Sequence, residues 1–196
     1  AWMIQKESWF KASWIDMLKY KISYGSQGND GIGNFRYEDT YSLALGDELA
    51  IVFDDNGNRN ITWETNGNLN TGIEFSLFRN RLEGEVEVFY RKTTDMLTKI
   101  NLPNSTGYGS FYDNIGDMVN KGIEISLTGN IIKTRDLKWS VNFNATHYKN
   151  KITKLAPERK MGTPVDGIEG YNSGKYFYGE GKSMYTWRLI KFMGIN

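Results

Sequence analysis

The chain has no cysteine, one histidine and three prolines in 196 residues. Without cysteine there is no disulfide framework, no thiolate zinc site and no cysteine nucleophile. A single histidine, His147, leaves no room for a histidine-rich metal site. It also argues against a catalytic triad, since no G-x-S-x-G elbow is present. The charge is balanced, 24 Lys and Arg against 23 Asp and Glu, so nothing favours nucleic acid, whose binding leans on excess cations. No apolar run approaches the ~18 residues of a transmembrane helix. What is plentiful is aromatic side chains, 14%, and glycine, 21 residues, a profile of long strands joined by turns.

Strict alternation carries the reading. Between Trp63 and Leu77 the odd positions include Leu69, Thr71, Ile73 and Phe75, and the even ones Glu64, Asn66, Asn70 and Glu74. That is a period-two ribbon with one apolar and one polar face. Leu82, Gly84, Val86, Val88 and Tyr90 alternate with Glu83, Glu85, Glu87 and Arg91, interrupted only by Phe89. Ile123, Ile125, Leu127 and Ile131 alternate with Glu124, Ser126, Thr128 and Asn130. Trp139, Val141, Phe143 and Ala145 alternate with Ser140, Asn142 and Asn144. An earlier strand covers Leu18 to Tyr24, with Lys19 and Lys21 on its polar side. Weaker signals place strands at Thr40–Phe53 and Met184–Phe192.

The connections alternate in length. Leu77 to Leu82 and Ile131 to Leu137 are short, whereas 25–61, 98–120 and 152–174 are long. Short turns on one side and large loops on the other are the order of an outer-membrane barrel. A soluble sandwich produces the same alternation, because its apolar face is the core. Strand length favours the barrel, since a tilted bilayer span takes about 9–11 residues. Trp63, Tyr90, Trp139 and Tyr148 are expected near strand ends, as interfacial girdles, with His147 beside them. Both chain ends look cut, so the chain is read as an internal piece of a longer protein.

The stretch Asn101-Leu102-Pro103-Asn104-Ser105-Thr106-Gly107-Tyr108, followed by Asn114-Ile115-Gly116-Asp117-Met118-Val119-Asn120-Lys121-Gly122-Ile123-Glu124, resembles the SusC/RagA family of TonB-dependent outer-membrane transporters of Bacteroidota. Leu18–Gly25, Gly28–Asn34, Lys92–Leu97 and Asn150–Leu155 agree, in order. The resemblance implies an all-β fold: an antiparallel transmembrane β-barrel of 22 strands, to which this chain supplies about seven. Residues 1–196 would all belong to that single barrel domain, with the plug domain and TonB box outside this chain. It further implies a Gram-negative outer-membrane location, a SusD-like lid lipoprotein and energy from TonB–ExbB–ExbD through the N-terminal part. The imported ligand would be an oligosaccharide or a peptide, with no enzyme activity, cofactor or metal. The alternative is a soluble all-β carbohydrate-binding domain.

Site expectations follow from the hairpin. A two-residue turn at Arg79-Asn80 sets Ile73 opposite Val86, Thr71 opposite Val88 and Phe75 over Gly84. It also sets Glu74 opposite Glu85, flanked by Glu83 and Glu87, a crowd of like charges that needs neutralising. Arg81 and Arg91 share that face and could supply it. The other reading is that Glu74, Glu83, Glu85, Glu87 and Glu124 line the lumen and receive arginines of the plug, a contact the resemblance also suggests. Tyr108, Phe111 and Tyr112 in the long loop are candidates for stacking on a sugar or a peptide partner, with Asp30, Tyr37 and Tyr41 behind them. Asp54, Asn56 and Asn58 have the spacing of a calcium loop, but Arg59 and Thr65 stand where glycine and glutamate are wanted, so a turn is expected.

Overall fold

The computed structural model describes residues 1–45, 49–102, 105, 109–160, 162, 164–189 and 194. Its twelve strands are β1 (Trp2–Met3), β2 (Ile15–Asn29), β3 (Thr40–Leu45), β4 (Leu49–Asp55), β5 (Glu64–Leu77), β6 (Leu82–Thr94), β7 (Leu97–Asn101), β8 (Ser110–Asn114), β9 (Gly116–Lys133), β10 (Lys138–Leu155), β11 (Gly170–Ser173) and β12 (Tyr176–Gly179). One sheet holds six of them in the order β1-β2-β5-β6-β9-β10, so each long strand pairs with the next long strand in the chain. The five long ones run for 15, 14, 13, 18 and 18 residues. All exceed the roughly 9–11 residues of a bilayer crossing. The three two-stranded sheets β3-β4, β7-β8 and β11-β12 sit in the long connections and not in the six-stranded sheet. This is the all-β, antiparallel barrel-segment class that the alternation predicts.

Two expected strands are corrected. Thr40–Phe53 is not one wall strand but the β3-β4 hairpin, with Leu43 opposite Ile51 and Tyr41 opposite Phe53. Of Met184–Phe192, the described residues 184–189 contain a turn and one isolated bridge, Tyr176 to Trp187, while 190–193 lie outside the described residues. Among the described residues the wall sheet holds five long strands and the short β1, where about seven strands are expected.

The first compact unit comprises Ala1–Ser26, Gly67–Lys92 and Val119–Asn150. Its apolar parity faces outward: Ile73 is 43% exposed, Val88 49% and Phe143 55%. On the opposite parity Ser76 is only 5% exposed. Other polar-parity residues, Glu83, Glu124, Ser126 and Asn144 among them, are exposed as well, so the apolar rows are left without the covering layer that a sandwich core has.

The hairpin keeps the predicted register but not the predicted turn. Residues 78–81 lie outside the strands, and the Arg81 N–H donates to the Leu77 carbonyl at 3.0 Å. Phe78, Arg79 and Asn80 all adopt left-handed backbone angles, φ 57°, 59° and 58°, which non-glycine residues rarely do. Neighbours hold them there. Phe78 stacks on Trp14 at 5.6 Å and its N–H donates to the Trp14 carbonyl at 2.9 Å. The Asn80 N–H donates to Asp16 at 2.9 Å and its carbonyl accepts from Asn130 at 2.7 Å. Phe78 is thus drawn out of the ladder, and the turn widens to four residues. Phe75 covers Gly84 as expected: a β-carbon there would lie 2.7 Å from the Phe75 ring.

The second unit comprises Gln27–Asn66, Thr93–Met118 and Lys151–Asn196. It has a conventional small core of Ile100, Ile152, Leu155 and Phe177, the last with no exposed surface. Residues 181–182 pair with the end of β10: Ile152 N–H donates to the Lys182 carbonyl at 2.9 Å, and Gly181 N–H to the Ile152 carbonyl at 2.8 Å. That pairing carries β10 on to Leu155, beyond where its alternation stops. Tyr148 and His147 therefore lie mid-strand, not at its end, though both are solvent-exposed.

Candidate functional site

On the polar face of the first unit the carboxylates find cations, but not the expected ones. Lys19 Nζ on β2 lies 3.1 Å from Glu74 Oε2, and Lys21 Nζ lies 3.5 Å from the same oxygen. Lys21 also pairs with Glu85. Lys21 thus bridges the two glutamates that the hairpin register places opposite one another, and the like-charge problem is solved by β2. Arg81 forms no ion pair among the described residues, and Arg91 rests on the Phe89 ring, 4.8 Å from its centroid. Arginine neutralisation within the hairpin is therefore corrected to lysine neutralisation across β2–β5. The available signal was the period-two spacing of Lys19 and Lys21. Its register to β5 was hidden by the long connection between the two strands.

Glu83, Glu87 and Glu124 have no ion-pair partner among the described residues. Two grooves run along this face. One, of about 440 Å³, is bordered by Glu74, Glu83, Glu85, Asn80, Ser126 and Thr128. The other, of about 240 Å³, is bordered by Glu85, Glu87, Glu124, Asn144 and Thr146. Ser126 and Asn144 hydrogen-bond at 2.8 Å between them. The five glutamates singled out by sequence thus border two open, polar grooves, three of them with unspent negative charge.

In the second unit, Phe111 and Tyr112 belong to strand β8, opposite Ile100 and Lys99 of β7. Both are half-buried, and Tyr112 carries the Arg36 guanidinium 5.2 Å from its ring centroid. Tyr108 lies outside the described residues. Arg36 pairs with Asp55 and donates from Nε to the Ile32 carbonyl at 2.8 Å. Around it a cavity of about 310 Å³ is lined by Asp30, Phe35, Tyr37, Thr62 and Trp63 among others. Tyr41 packs edge-on against Phe53 at 5.6 Å.

Asn58 donates to the Tyr112 carbonyl at 3.0 Å and to Asp113 at 2.9 Å. Its side chain ties the 56–60 turn to β8, which is the structural role expected of that segment. Asn114 extends the tie, donating to the carbonyls of Thr62 at 3.0 Å and Asp95 at 2.7 Å. Glu64 accepts from the Leu97 N–H at 3.2 Å and Asp117 from the Asp95 N–H at 3.1 Å. Within the 101–124 stretch, Asn114 and Asp117 thus bind backbone groups of neighbouring segments.

A second loop cavity, about 250 Å³, lies among Lys99, Asn101, Arg159, Tyr171, Asn172 and Ser173. Sequence reasoning missed it, because Arg159 and Lys99 are far apart in the chain and neither stands in a motif. No group of metal-ligating side chains occurs among the described residues.

The family model for the TonB dependent receptor-like β-barrel matches residues 13–187. TonB-dependent receptor P26 of Formosa agariphila is 30% identical over 200 residues, covering 99% of this chain and 20% of its own. TonB-dependent receptor SusC of Bacteroides thetaiotaomicron is 30% identical over 165 residues, 79% of this chain and 16% of its own. The RagAB peptide importer in its closed-closed state aligns with a TM-score of 0.75 at 29% identity, covering 91% of this chain and 19% of that one. The chain therefore spans about a fifth or less of the length of the proteins it matches.

Proposed function

This chain belongs to the TonB-dependent receptor-like β-barrel family, in its SusC/RagA branch, and from that premise we propose that it forms part of the wall of an outer-membrane active transporter. The observation that carries the reading is the inverted sheet of the first unit. Large apolar side chains such as Ile73, Val88 and Phe143 are uncovered on one parity, and the other parity carries paired carboxylates and lysines. Such a wall offers lipid one surface and a hydrated interior the other. The protein catalyses nothing; it resides in the outer membrane of a Gram-negative bacterium of the Bacteroidota. Residues 1–196 belong to one barrel domain of 22 strands, with the plug and TonB box carried elsewhere in the longer polypeptide.

Transport follows from the plug yielding to force delivered by TonB–ExbB–ExbD, with a SusD-like lipoprotein capping the long-loop side. The RagAB peptide importer favours peptides as cargo, and oligosaccharides are the other class that the family resemblance implies. Glu83, Glu87 and Glu124, whose charge is unspent, are the polar seat for plug arginines. Glu74 and Glu85 are locked by lysines and shape the seat. Phe111 and Tyr112 act as supports for the loop face around Tyr108, which contacts ligand or lid.

The test is uptake in the native host, with labelled peptides and oligosaccharides offered separately. Deleting this gene should abolish uptake of one class, and loss of TonB should do the same. Uptake that persists without TonB, or a protein that fractionates in buffer without detergent, would overturn the reading in favour of a soluble binding domain.

A further inference from the structure

The cavity between the β7 strand and the β11 strand differs from the other described grooves in the sign of its charge. Lys99 and Arg159 line it, and no carboxylate does. Neither cation has an ion-pair partner among the described residues. Arg159 is held in place without using its N–H donors: its guanidinium lies 5.2 Å from the centroid of Tyr171, which is itself stacked on Tyr178 at 5.0 Å. The short 3₁₀ turn Pro157–Arg159 fixes the backbone beneath it, through Arg159 N–H to the Ala156 carbonyl at 2.9 Å. A guanidinium set over a ring, with its N–H donors unspent, can offer two parallel hydrogen bonds to one planar oxyanion.

The remaining lining is mixed: Ile100 and Ile115 are apolar, and Thr98, Asn101, Asn172 and Ser173 can hydrogen-bond. Asn101 and Asn172 offer both donors and acceptors, and Ser173 a hydroxyl. All three are exposed, as is Lys99, so the cavity is open to a ligand. Tyr171 supplies an aromatic wall.

We infer that this cavity is a subsite for a carboxylate group on the transported ligand, bound by Arg159 and Lys99 with Asn101 and Asn172 on its flanks. The inference rests on the transporter reading and narrows it: the cargo, or the part of it that meets this loop cluster, is acidic. An acidic sugar and a peptide C-terminus present the same group.

The experiment uses the full-length transporter with its lipoprotein partner, purified in detergent. Four probes separate the sources: trigalacturonate and its methyl ester, and a hexapeptide with a free or an amidated C-terminus. Wild type should bind the acid form of at least one pair about tenfold more tightly than its neutral twin, as expected for a charge-assisted contact. Lys99→Gln and Arg159→Gln should each erase most of that preference and leave the neutral form unchanged. Arg159→Lys should retain part of it, since the charge stays and the fork is lost. The Lys99 side chain is exposed and makes no other bond among the described residues, so a folding defect does not confound that variant. The inference is overturned if wild type fails to discriminate acid from neutral in both pairs, or if the variants weaken both forms equally. TonB-dependent uptake that continues in that case leaves the transporter reading standing while this subsite falls.

Discussion

The Phe89 ring fills the space that a side chain at residue 122 would need. A β-carbon on Gly122 would stand 2.7 Å from Phe89 Cζ and 2.8 Å from Tyr148 Cβ, and would also meet the His147 carbonyl. Phe89 is the one apolar residue on the charged side of β6, and this contact explains it. The aromatic ring covers a strand glycine on the next strand, restoring packing where there is no side chain.

Gly122→Ala should therefore impair the barrel, by about 1–3 kcal/mol as for other overpacked sites. Gly129→Ala is the control, because a β-carbon there meets nothing nearer than 3.5 Å. Heat-modifiable migration of the full-length protein during a urea titration should show an earlier midpoint for the first and no change for the second.

Alternation made the long strands and their facing legible, since a half-buried strand shows its period in every residue. Ile73, Val86 and Phe75 could be paired across a hairpin because only four residues intervene. Lys19 and Lys21 could not be assigned to Glu74 and Glu85, because 34 residues separate β2 from β5 and no local rule transmits register over that distance. The same holds for Arg159 and Lys99. The residues of β7-β8 read as loop and those of β3-β4 as one weak strand, because both mix polar and aromatic types without a sustained period. The Met184–Phe192 reading failed for the opposite reason. Its apolar residues alternate weakly, but over the described residues 184–189 Trp187 is engaged in a tilted ring contact with Tyr176 at 4.9 Å.

Charge placed on the outward face should be expensive. Val88 is half exposed in the middle of β6. A lysine there should cost about 2–4 kcal/mol near the bilayer midplane, so Val88→Lys is expected to accumulate as unassembled, protease-sensitive protein. Ser126→Lys, on the polar side of β9 beside Glu85 and Glu87, should assemble normally. Outer-membrane yield of the two variants measures the difference; equal yields would refute the facing of the sheet.

The glutamates should separate into two classes. Glu83→Gln, Glu87→Gln and Glu124→Gln combined should leave barrel yield intact and loosen the plug, seen as faster trypsin cleavage within the plug domain. Glu74→Gln with Glu85→Gln strands Lys19 and Lys21 instead. Those pairs are about one-third exposed, where an ion pair is worth only about 0.2–1 kcal/mol, so a modest loss of barrel stability is expected, with the plug held. Trypsin patterns that are identical to wild type for the triple variant would remove the docking role.

Acid should loosen the contact between Glu180 and the end of β10. Glu180 has its carboxyl held below its ordinary value of 4.5, first by the hydrogen bond from Lys160 and then by the Leu155 N–H. Lys160 Nζ lies 2.8 Å away and the Leu155 N–H donates at 2.8 Å. A group with a depressed folded pKa stabilises the fold fully above its unfolded value, and the contribution disappears as pH falls through the folded one. Hydrogen exchange at the Leu155 amide should therefore be slow and pH-corrected constant near neutrality, then accelerate beyond intrinsic chemistry as pH drops below 4.5. In Glu180→Gln the amide loses that acid step, because the neutral side chain has no proton to gain and its weaker bonds are the same at every pH. An acid step that survives the substitution would place the switch on another carboxylate.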